Sequence, residues 1–364
     1  MASPLVRLEL RREPSQAMLY ATPFFAFALT LLAGLFLFWA LGKDPIKALG
    51  LIFVVPLTSV RGLAELLVKS TPLILIATGL AIGFRAGIWN IGAEGQFTIG
   101  ALTGGSVGLY FYPGGGSLLL PLMMIAGALG GIAWAAIPAF LRTRYNATEI
   151  LTSLMLVYVA IQLLGVMLHG PLRDPQSYNF PESKLFQPAA TLPGLIKGTR
   201  AHIGFLVALL AVAIAQVAVT RHMLGFMTRV FGDAPRAAAF AGFSEKRLVW
   251  ISFAISGGLA GLAGLFEAAG PVGQLVTQLP TGYGFTAIIV AFLGRLQPIG
   301  ILAAGLLLGL TYIGGETAQI AMSLPSATTS VFQGLLLFFL LATDVLVNYR
   351  VRFGLHATPQ TGSA

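Results

Sequence analysis

Residues 79–100 read GLAIGFRAGIWNIGAEGQFTIG, and this stretch sets charged, amide and indole side chains among six glycines between two apolar arms. An uncompensated charge at the centre of a bilayer costs about 2.5–3.5 kcal/mol, whereas glycines let backbones approach closely and permit breaks in a helix. One interpretation is therefore an element that lines or gates a path through the membrane. The alternative is a cytoplasmic turn between two helices, with Arg85 at the lipid interface and Glu94 near a helix N-terminus. In the first interpretation, the path residues are Trp89, Asn90, Glu94 and Gln96.

The composition of the whole chain is typical of a membrane protein. Of its 364 residues, 56% are hydrophobic and only 10% are charged, and the mean hydropathy is +0.85. A soluble domain has about 25% charged residues, so this chain cannot cover itself with a hydrated surface. A helix crosses a bilayer with about 20 apolar residues, and the chain has many such blocks. We therefore expect an all-α, polytopic integral membrane protein with about ten transmembrane helices, at roughly 20–41, 71–84, 95–112, 118–141, 149–168, 203–220, 249–268, 284–294, 298–321 and 326–347.

Two of these predicted spans, 71–84 and 284–294, are too short for an ordinary crossing, and both lie beside more polar, glycine-containing sequence. Non-helical backbone at membrane depth is tolerated only where it is buried in protein or lines a cavity. Short or interrupted segments in both halves of a transporter indicate its translocation path. We therefore expect broken or re-entrant segments at these two places.

The formal net charge of +9 is carried mostly by loops between the apolar blocks. We interpret the basic residues as topology signals beside the lipid bilayer rather than as contacts to nucleic acid. More of them fall in loops on the side of the N-terminus, so the positive-inside rule predicts cytoplasmic N- and C-termini. The expected organisation is a cytoplasmic segment at 1–20, one transmembrane domain at 21–348 with a cytoplasmic loop at 221–248, and a cytoplasmic tail at 349–364.

The cytoplasmic loop contains a short predicted helix. Asp233 can cap it, with Pro235 at an early helical position, and the alanine-rich run that follows favours a helix until Gly242 ends it. This helix suits docking into a groove on a soluble partner, or it lies on the lipid surface, where anionic lipid attracts the same basic residues. In the docking interpretation, the coupling residues are Gly232, Asp233, Pro235, Arg236 and Gly242.

Two acidic residues, Glu267 and Glu316, lie toward the outer ends of apolar spans. Either can face a solute cavity, and either can be an interfacial charge. The span before Glu267 is rich in small residues, and the spacing of Gly257 and Gly261 predicts close packing of two helices.

Several motifs of enzymes are absent from the sequence. It has no cysteine, no G-x-x-x-x-G-K-[ST] phosphate-binding loop and no H-E-x-x-H metal motif. We therefore predict no catalytic residue, no cofactor and no metal. A membrane enzyme would need a nucleophile–base pair or a set of metal ligands, and the sequence shows neither. A secondary transporter or channel working alone would need ionisable residues within the membrane for ion coupling, and the spans contain few.

Three blocks of the sequence resemble a known family. They are FRAGIWNIGAEGQ at 84–96, NATEILTSLMLVY at 146–158 and GDAPRAAAFAG at 232–242. Together they resemble the inner-membrane permeases of ABC importers for branched-chain amino acids, simple sugars and nucleosides. The first block is closest to the nucleoside-type branch, whereas Thr148 and Val157 stand where that branch often has asparagine.

The resemblance implies a fold of two inverted halves and a role without covalent chemistry. A second permease chain, forming a heterodimer, would complete the path, and a cytoplasmic ABC ATPase would dock on the loop around 232–242. An extracytoplasmic substrate-binding protein would deliver the solute. The expected function is ATP-driven import of a small solute, a nucleoside first, across the inner (plasma) membrane. The alternatives are import of a simple sugar or a branched-chain amino acid, or a stand-alone secondary transporter.

Overall fold

Helices make up most of the computed structural model, which describes residues 6–10, 16–325 and 327–353. Parts of the segments at 1–20 and 349–364 therefore lie outside the described residues. The helices are α1 Gln16–Ala40, α2 Pro45–Phe53, α3 Val60–Arg85, α4 Ala93–Tyr110, α5 Leu119–Tyr145, α6 Glu149–His169, α7 Gly204–Arg221, α8 Met223–Asp233, α9 Pro235–Phe240, α10 Glu245–Glu267, α11 Tyr283–Leu293, α12 Pro298–Met322 and α13 Ala327–Asn348. Two short strands, β1 Val6–Leu10 and β2 Tyr349–Phe353, pair antiparallel.

Seven of the helices in the described part of the chain are long and apolar enough to cross a membrane. Three further apolar segments are shorter: Pro45–Leu57, Tyr283–Leu293 and Ser330–Thr343. The prediction of an all-α polytopic membrane protein is confirmed, while the inverted relation of its halves stays an expectation.

One predicted short span is wrong, because α3 is a continuous helix that starts well before residue 71. Its first three turns carry Arg61, Glu65 and Lys69 at spacings of four residues, so these side chains share one face. Their polarity lowers the hydropathy of this part without interrupting the helix. Ser59 caps the start of α3 by accepting a hydrogen bond from the N–H of Gly62 at 3.0 Å.

The other predicted short span is confirmed as α11, an 11-residue helix. The segment before it, 273–282, is not helical. Leu275 lies against Gly105 near the end of α4, and Gly284 lies against Glu94 near its start. Eleven helical residues separate these two contacts, so the segment descends about 16 Å along α4 before α11 begins. This is a broken segment of the predicted kind.

The chain forms two compact units, residues 55–314 and residues 1–54 with 315–364. In the larger unit, α10 is the central helix and packs against α3, α4 and α5. Three glycine contacts set these distances, because an added Cβ at Gly261, Gly131 or Gly264 would lie within 2.3 Å of a backbone oxygen of the neighbouring helix. The predicted close packing at Gly257 and Gly261 is therefore confirmed.

The smaller unit is built from α1 packed along α13, with α2 beside them. Its core includes Phe38, Ala48 and Ile52, together with Ala318 and Leu324. The hydroxyl of Thr343 donates to the carbonyl of Thr22. In the strand pair, Val6 lies opposite Phe353 and Leu10 opposite Tyr349, so the chain before α1 and the chain after α13 run side by side.

Candidate functional site

Glu94 is a buried carboxylate at the start of α4 that bonds to the start of α11. Its Oε1 accepts from the N–H of Gly282 at 2.7 Å, and its Oε2 accepts from the N–H of Gly284 at 2.5 Å. The side chain is only 1% exposed. Glu94 therefore joins the polar stretch 79–100 to the broken segment, which lies almost two hundred residues later in the sequence.

Asn90 and Gln96 form a second buried group, which ties the turn between α3 and α4 to α10. The Asn90 Nδ2 donates to Gln96 Oε1 and to Ser256 Oγ, each at 2.8 Å. In return, Gln96 Nε2 donates to Asn90 Oδ1 at 3.0 Å, and the N–H of Gly92 donates to the same oxygen at 3.0 Å. The amide of Asn90 thus makes four hydrogen bonds within the chain, which uses its full capacity.

Trp89 belongs to a stack of three aromatic rings. Its ring centroid is 5.1 Å from that of Phe84 and 5.8 Å from that of Phe292, and the Phe84 and Phe292 centroids are 5.5 Å apart. The three interplanar angles, between 18° and 36°, are those of stacked or tilted rings. Phe84 is buried while Trp89 is 37% exposed, so the stack presents an indole to the outside of the chain.

The backbone of Trp89 is held by an ionic group at the ends of three helices. Its N–H donates to Glu149 Oε1 at 3.3 Å. Glu149 is paired with Arg142, and the other guanidinium nitrogen of Arg142 lies 3.0 Å from Glu245. The turn carrying Trp89 is therefore anchored to α5, α6 and α10 at once.

A cluster of tyrosines lies at the start of α11, and the sequence did not indicate it. Tyr283 is fully buried, with ring centroids of Phe97 and Tyr312 at 6.0 and 5.7 Å. The hydroxyls of Thr286 and Tyr312 are 2.9 Å apart, within hydrogen-bond distance. The ammonium of Lys69 lies 5.9 Å from the Tyr283 ring centroid, a cation–π geometry. Only the helical register of separate helices brings these residues together.

The other two acidic candidates are Glu267 and Glu316. Glu267 is buried at the end of α10, immediately before a π-helical turn at Ala268–Val272. Glu316 is exposed on α12 and belongs to the smaller unit. In the described part of the chain, no group of three or more His, Asp or Glu side chains is placed to hold a metal ion.

The predicted short helix in the loop 221–248 is present as α9, and it follows α8 after a one-residue break. Asp233 ends α8 instead of capping α9, so its predicted capping role is wrong; the N-cap position is Ala234, whose methyl group accepts no hydrogen bond. Gly242 follows α9 with a φ of +83°, a left-handed conformation that favours glycine. Pro235 and Arg236 are exposed in the first turn of α9.

These two short helices pack onto the turn that leads to Trp89. Phe231 of α8 and Ala238 of α9 are buried in one cluster with Ala86 and Ile88. Gly232 lies so close to the carbonyl of Arg85 that an added Cβ would be 2.2 Å from its oxygen. The opposite side of α9 is open, since Phe240 is 94% exposed.

The loop at residues 170–203 lies at the end of the larger unit opposite to α8 and α9. It is ordered by hydrogen bonds. Arg200 makes two hydrogen bonds to Glu65 on α3, at 2.8 and 2.6 Å. The N–H of Ser183 donates to the carbonyl of Leu275 at 3.0 Å. His202 is buried, and its Nδ1 accepts from the N–H of Gly204 at 3.2 Å. Burial lowers the pKa of His202 to about 4.

Comparison with known proteins agrees with this architecture. The sequence-family model for the permease component of branched-chain amino acid transport systems matches residues 62–341. A glucose ABC transporter permease of Haloferax volcanii is 38% identical over 95% of this chain and 93% of its own length. A guanosine ABC transporter permease of Bacillus subtilis is 32% identical over 79% of this chain and 82% of its own length, and a nucleoside ABC transporter permease of Lactococcus lactis is 30% identical over 87% and 89%.

The matches include a second, different guanosine permease of Bacillus subtilis and a second, different nucleoside permease of Lactococcus lactis. No solved structure shows a significant match. ABC permeases are transport subunits rather than enzymes, and the family implies a partner ATPase and, in general, a substrate-binding protein. The family model covers most of the chain, and three relatives are at least 30% identical over most of its length. The chain therefore belongs to the branched-chain amino acid transport system permease family and is a multi-pass inner-membrane subunit of an ABC transporter.

Proposed function

We propose that this chain forms half of the translocation path of an ATP-driven importer for a small neutral solute, with a nucleoside as the first candidate. The observation that carries the proposal is the broken segment 273–293 beside the polar stretch 79–100. Interrupted helices at membrane depth are found where they line a path or are buried in protein, and transporters place their solute sites beside them.

Two lines of support favour a nucleoside. The block at 84–96 resembles the nucleoside-type branch, and two matching relatives are a guanosine and a nucleoside permease. A hexose is the second candidate, because the 38% identical relative is a glucose permease. Both solutes are neutral and rich in hydroxyl groups, and both can stack on an aromatic ring such as the exposed indole of Trp89.

The path residues take different parts in this proposal. Trp89 contacts the solute, since its indole is the exposed member of the aromatic stack. Asn90, Glu94 and Gln96 shape the path from behind, because their polar atoms bond within the chain. Glu267 and Glu316 remain candidates for its outer part.

The loop 221–248 couples the path to the ATPase. Exposed Phe240 and the left-handed Gly242 form the docking surface, together with Gly232, Asp233, Pro235 and Arg236. The packing of Phe231 and Ala238 against the turn at 86–88 supports this role, since a displacement of α9 is transmitted to that turn by direct contact.

In this chain one transmembrane domain spans residues 21–348. A second, different permease chain supplies the other half of the transport unit. The matches include two different guanosine permeases of Bacillus subtilis and two different nucleoside permeases of Lactococcus lactis, and these sets of two support a heterodimer. We place both termini in the cytoplasm. The positive-inside rule supports that side, and the pairing of β1 with β2 supports a common side for both ends.

The test is uptake of labelled guanosine, glucose and leucine by cells with and without this gene. Loss of guanosine uptake alone supports the first candidate, and loss of glucose uptake alone supports the second. Loss of leucine uptake alone refutes both candidates, because leucine carries an ionised carboxylate and ammonium group. If uptake of all three is unchanged and no ATPase co-purifies with the chain, the importer proposal fails.

The docking surface is tested with Gly242→Trp, and Gly198→Trp is the matched control. Both glycines have a positive φ, +83° and +76°, and neither has an atom within 4 Å of an added Cβ. Gly198 lies in the loop 170–203, on the opposite side. We expect Gly242→Trp to separate ATP hydrolysis from uptake and Gly198→Trp to leave them coupled. Normal solute-stimulated ATPase activity and normal uptake in Gly242→Trp would remove the docking assignment.

A further inference from the structure

The N-terminus of α11 has an unusual partner. The first N–H groups of a helix have no partner within it, and the helix dipole makes this end partially positive. At the N-cap of α11 stands Gly282, which has a φ of +89° and no side chain to accept these hydrogen bonds. The two carboxylate oxygens of Glu94 take the place of a local cap, one on Gly282 and one on Gly284.

The fit between Glu94 and this helix end is close. An added Cβ at Gly284 would lie 2.3 Å from the backbone nitrogen of Glu94 and 2.6 Å from its Cα. The start of α11 is therefore pressed onto the backbone of α4 at Glu94 itself. The carbonyl of Glu94 also accepts from the hydroxyl of Thr98 at 2.8 Å, within the first turns of α4.

In transporters with broken helices, the N-terminus of a half-helix commonly binds an anionic group of the substrate. Here that position is filled by a carboxylate of the chain itself. We infer that Glu94 is a built-in anion that holds the end of α11, and that a solute carrying a carboxylate or phosphate cannot bind at this helix end. The inference rests on the proposed path and narrows its solute to compounds without a carboxylate or phosphate group.

Glu94 is then a positioning residue rather than a contact to the solute. Both of its oxygens are engaged by backbone donors, and the side chain is fully buried. Its removal would leave the N–H groups of Gly282 and Gly284 unpaired. It would also open a cavity of the size of a carboxylate, which favours an anion because it adjoins the partially positive end of the helix. A small free carboxylate can fill such a cavity, whereas a cavity left by a neutral side chain has no helix N-terminus to bind the carboxylate.

The experiment measures the thermal stability of the purified permease–ATPase complex in sodium formate and in sodium gluconate at equal ionic strength. The variants are Glu94→Ala, Glu94→Gln and, as the matched control on the same helix, Gln96→Ala. We expect Glu94→Ala to lower Tm by on the order of 5 °C and formate to restore at least half of the loss. Formate should not raise Tm of the wild-type complex, of Glu94→Gln or of Gln96→Ala.

Equal rescue of Gln96→Ala, or no rescue of Glu94→Ala, would overturn the assignment. If Glu94→Ala does not assemble, Glu94→Gln decides: it keeps the shape but loses the charge, so a Tm equal to that of the wild type also overturns it. These readouts need no solute and stay valid if the proposed function fails. Import of leucine by the wild-type complex would refute the exclusion of anionic groups, whatever the rescue shows.

Discussion

The contact between α10 and α5 at Gly261 allows a worked prediction of stability. In the structure, an added Cβ at Gly261 would lie 2.3 Å from the carbonyl oxygen of Gly127 and 3.0 Å from the Cα of Gly131. Real Cβ contacts are essentially never closer than 3.0 Å, so Gly261→Ala must separate the two helices by about 0.7 Å. Both obstacles are backbone atoms, and no side chain can rotate away to make room.

Overpacking of a tight core costs typically about 1–3 kcal/mol, and the rigidity of both obstacles places Gly261→Ala near the upper end. For a chain of this size the expected fall in Tm is about 5 °C. The assay is thermal unfolding of the purified complex, followed by loss of the monodisperse species. The variant should still insert into the membrane, because its hydropathy is not lowered.

Gly165→Ala is the matched control, since Gly165 lies inside α6 and an added Cβ there meets no atom within 4 Å. Alanine favours a helix over glycine by about 1 kcal/mol, so this variant should be as stable as the wild type or slightly more stable. If Gly261→Ala lowers Tm no more than Gly165→Ala, the idea that backbone contact sets this helix distance is refuted.

Three further predictions concern polar groups. Asn90→Ala leaves the N–H of Gly92 and the hydroxyl of Ser256 without this amide and should cost about 2–4 kcal/mol, whereas Ser256→Ala, measured in the same unfolding assay, should cost less than half as much. Burial lowers the pKa of His202 to about 4, below its usual value near 6.5, so on acidification the unfolded chain takes up a proton before the folded chain does. The free energy of unfolding should therefore fall by on the order of 3 kcal/mol as the pH drops from 6.5 to 4. The same pH profile should be flatter for His202→Gln than for the wild type. Arg142→Ala leaves the partly buried Glu149 carboxylate unpaired and should lower uptake by loosening the turn at Trp89, while uptake should stay normal in the control Arg144→Ala, which changes a basic residue in the same last turn of α5.

The helices were predictable where local hydropathy decides them. The spans from α4 to α7 and from α10 to α13 agree with their predicted positions within a few residues, because each is an apolar block bounded by polar turns. The prediction for α3 failed for the same reason. Hydropathy averages over all faces of a helix, whereas Arg61, Glu65 and Lys69 occupy one face and reach partners there, as the bonds between Glu65 and Arg200 illustrate.

The sequence singled out the polar stretch but did not indicate its internal contacts. Its composition indicated that Asn90, Glu94 and Gln96 do something other than face lipid. Their partners, Ser256 and the backbone of Gly282 and Gly284, lie far away in sequence. No local pattern encodes such pairs, since they depend on how α4, α10 and α11 pack.

The prediction that Asp233 caps α9 failed because local spacing describes only a possible hydrogen bond. Asp233 completes the last turn of α8 instead, and the break falls at Ala234. The packing of Phe231 and Gly232 onto the turn after α3 holds α8 in this register. A tertiary contact therefore outweighed a preferred cap.

The six residues of α9 divide into two classes that selection can act on separately. Only Ala238 is buried, so changes there alter folding and function together. The remaining positions, including Phe240, are not buried within this chain. Under the proposed docking role, a partner ATPase and this surface can therefore co-vary without a loss of permease stability. Exchanging the exposed positions of α9 between related permeases should then change which ATPase binds while leaving the membrane part unchanged.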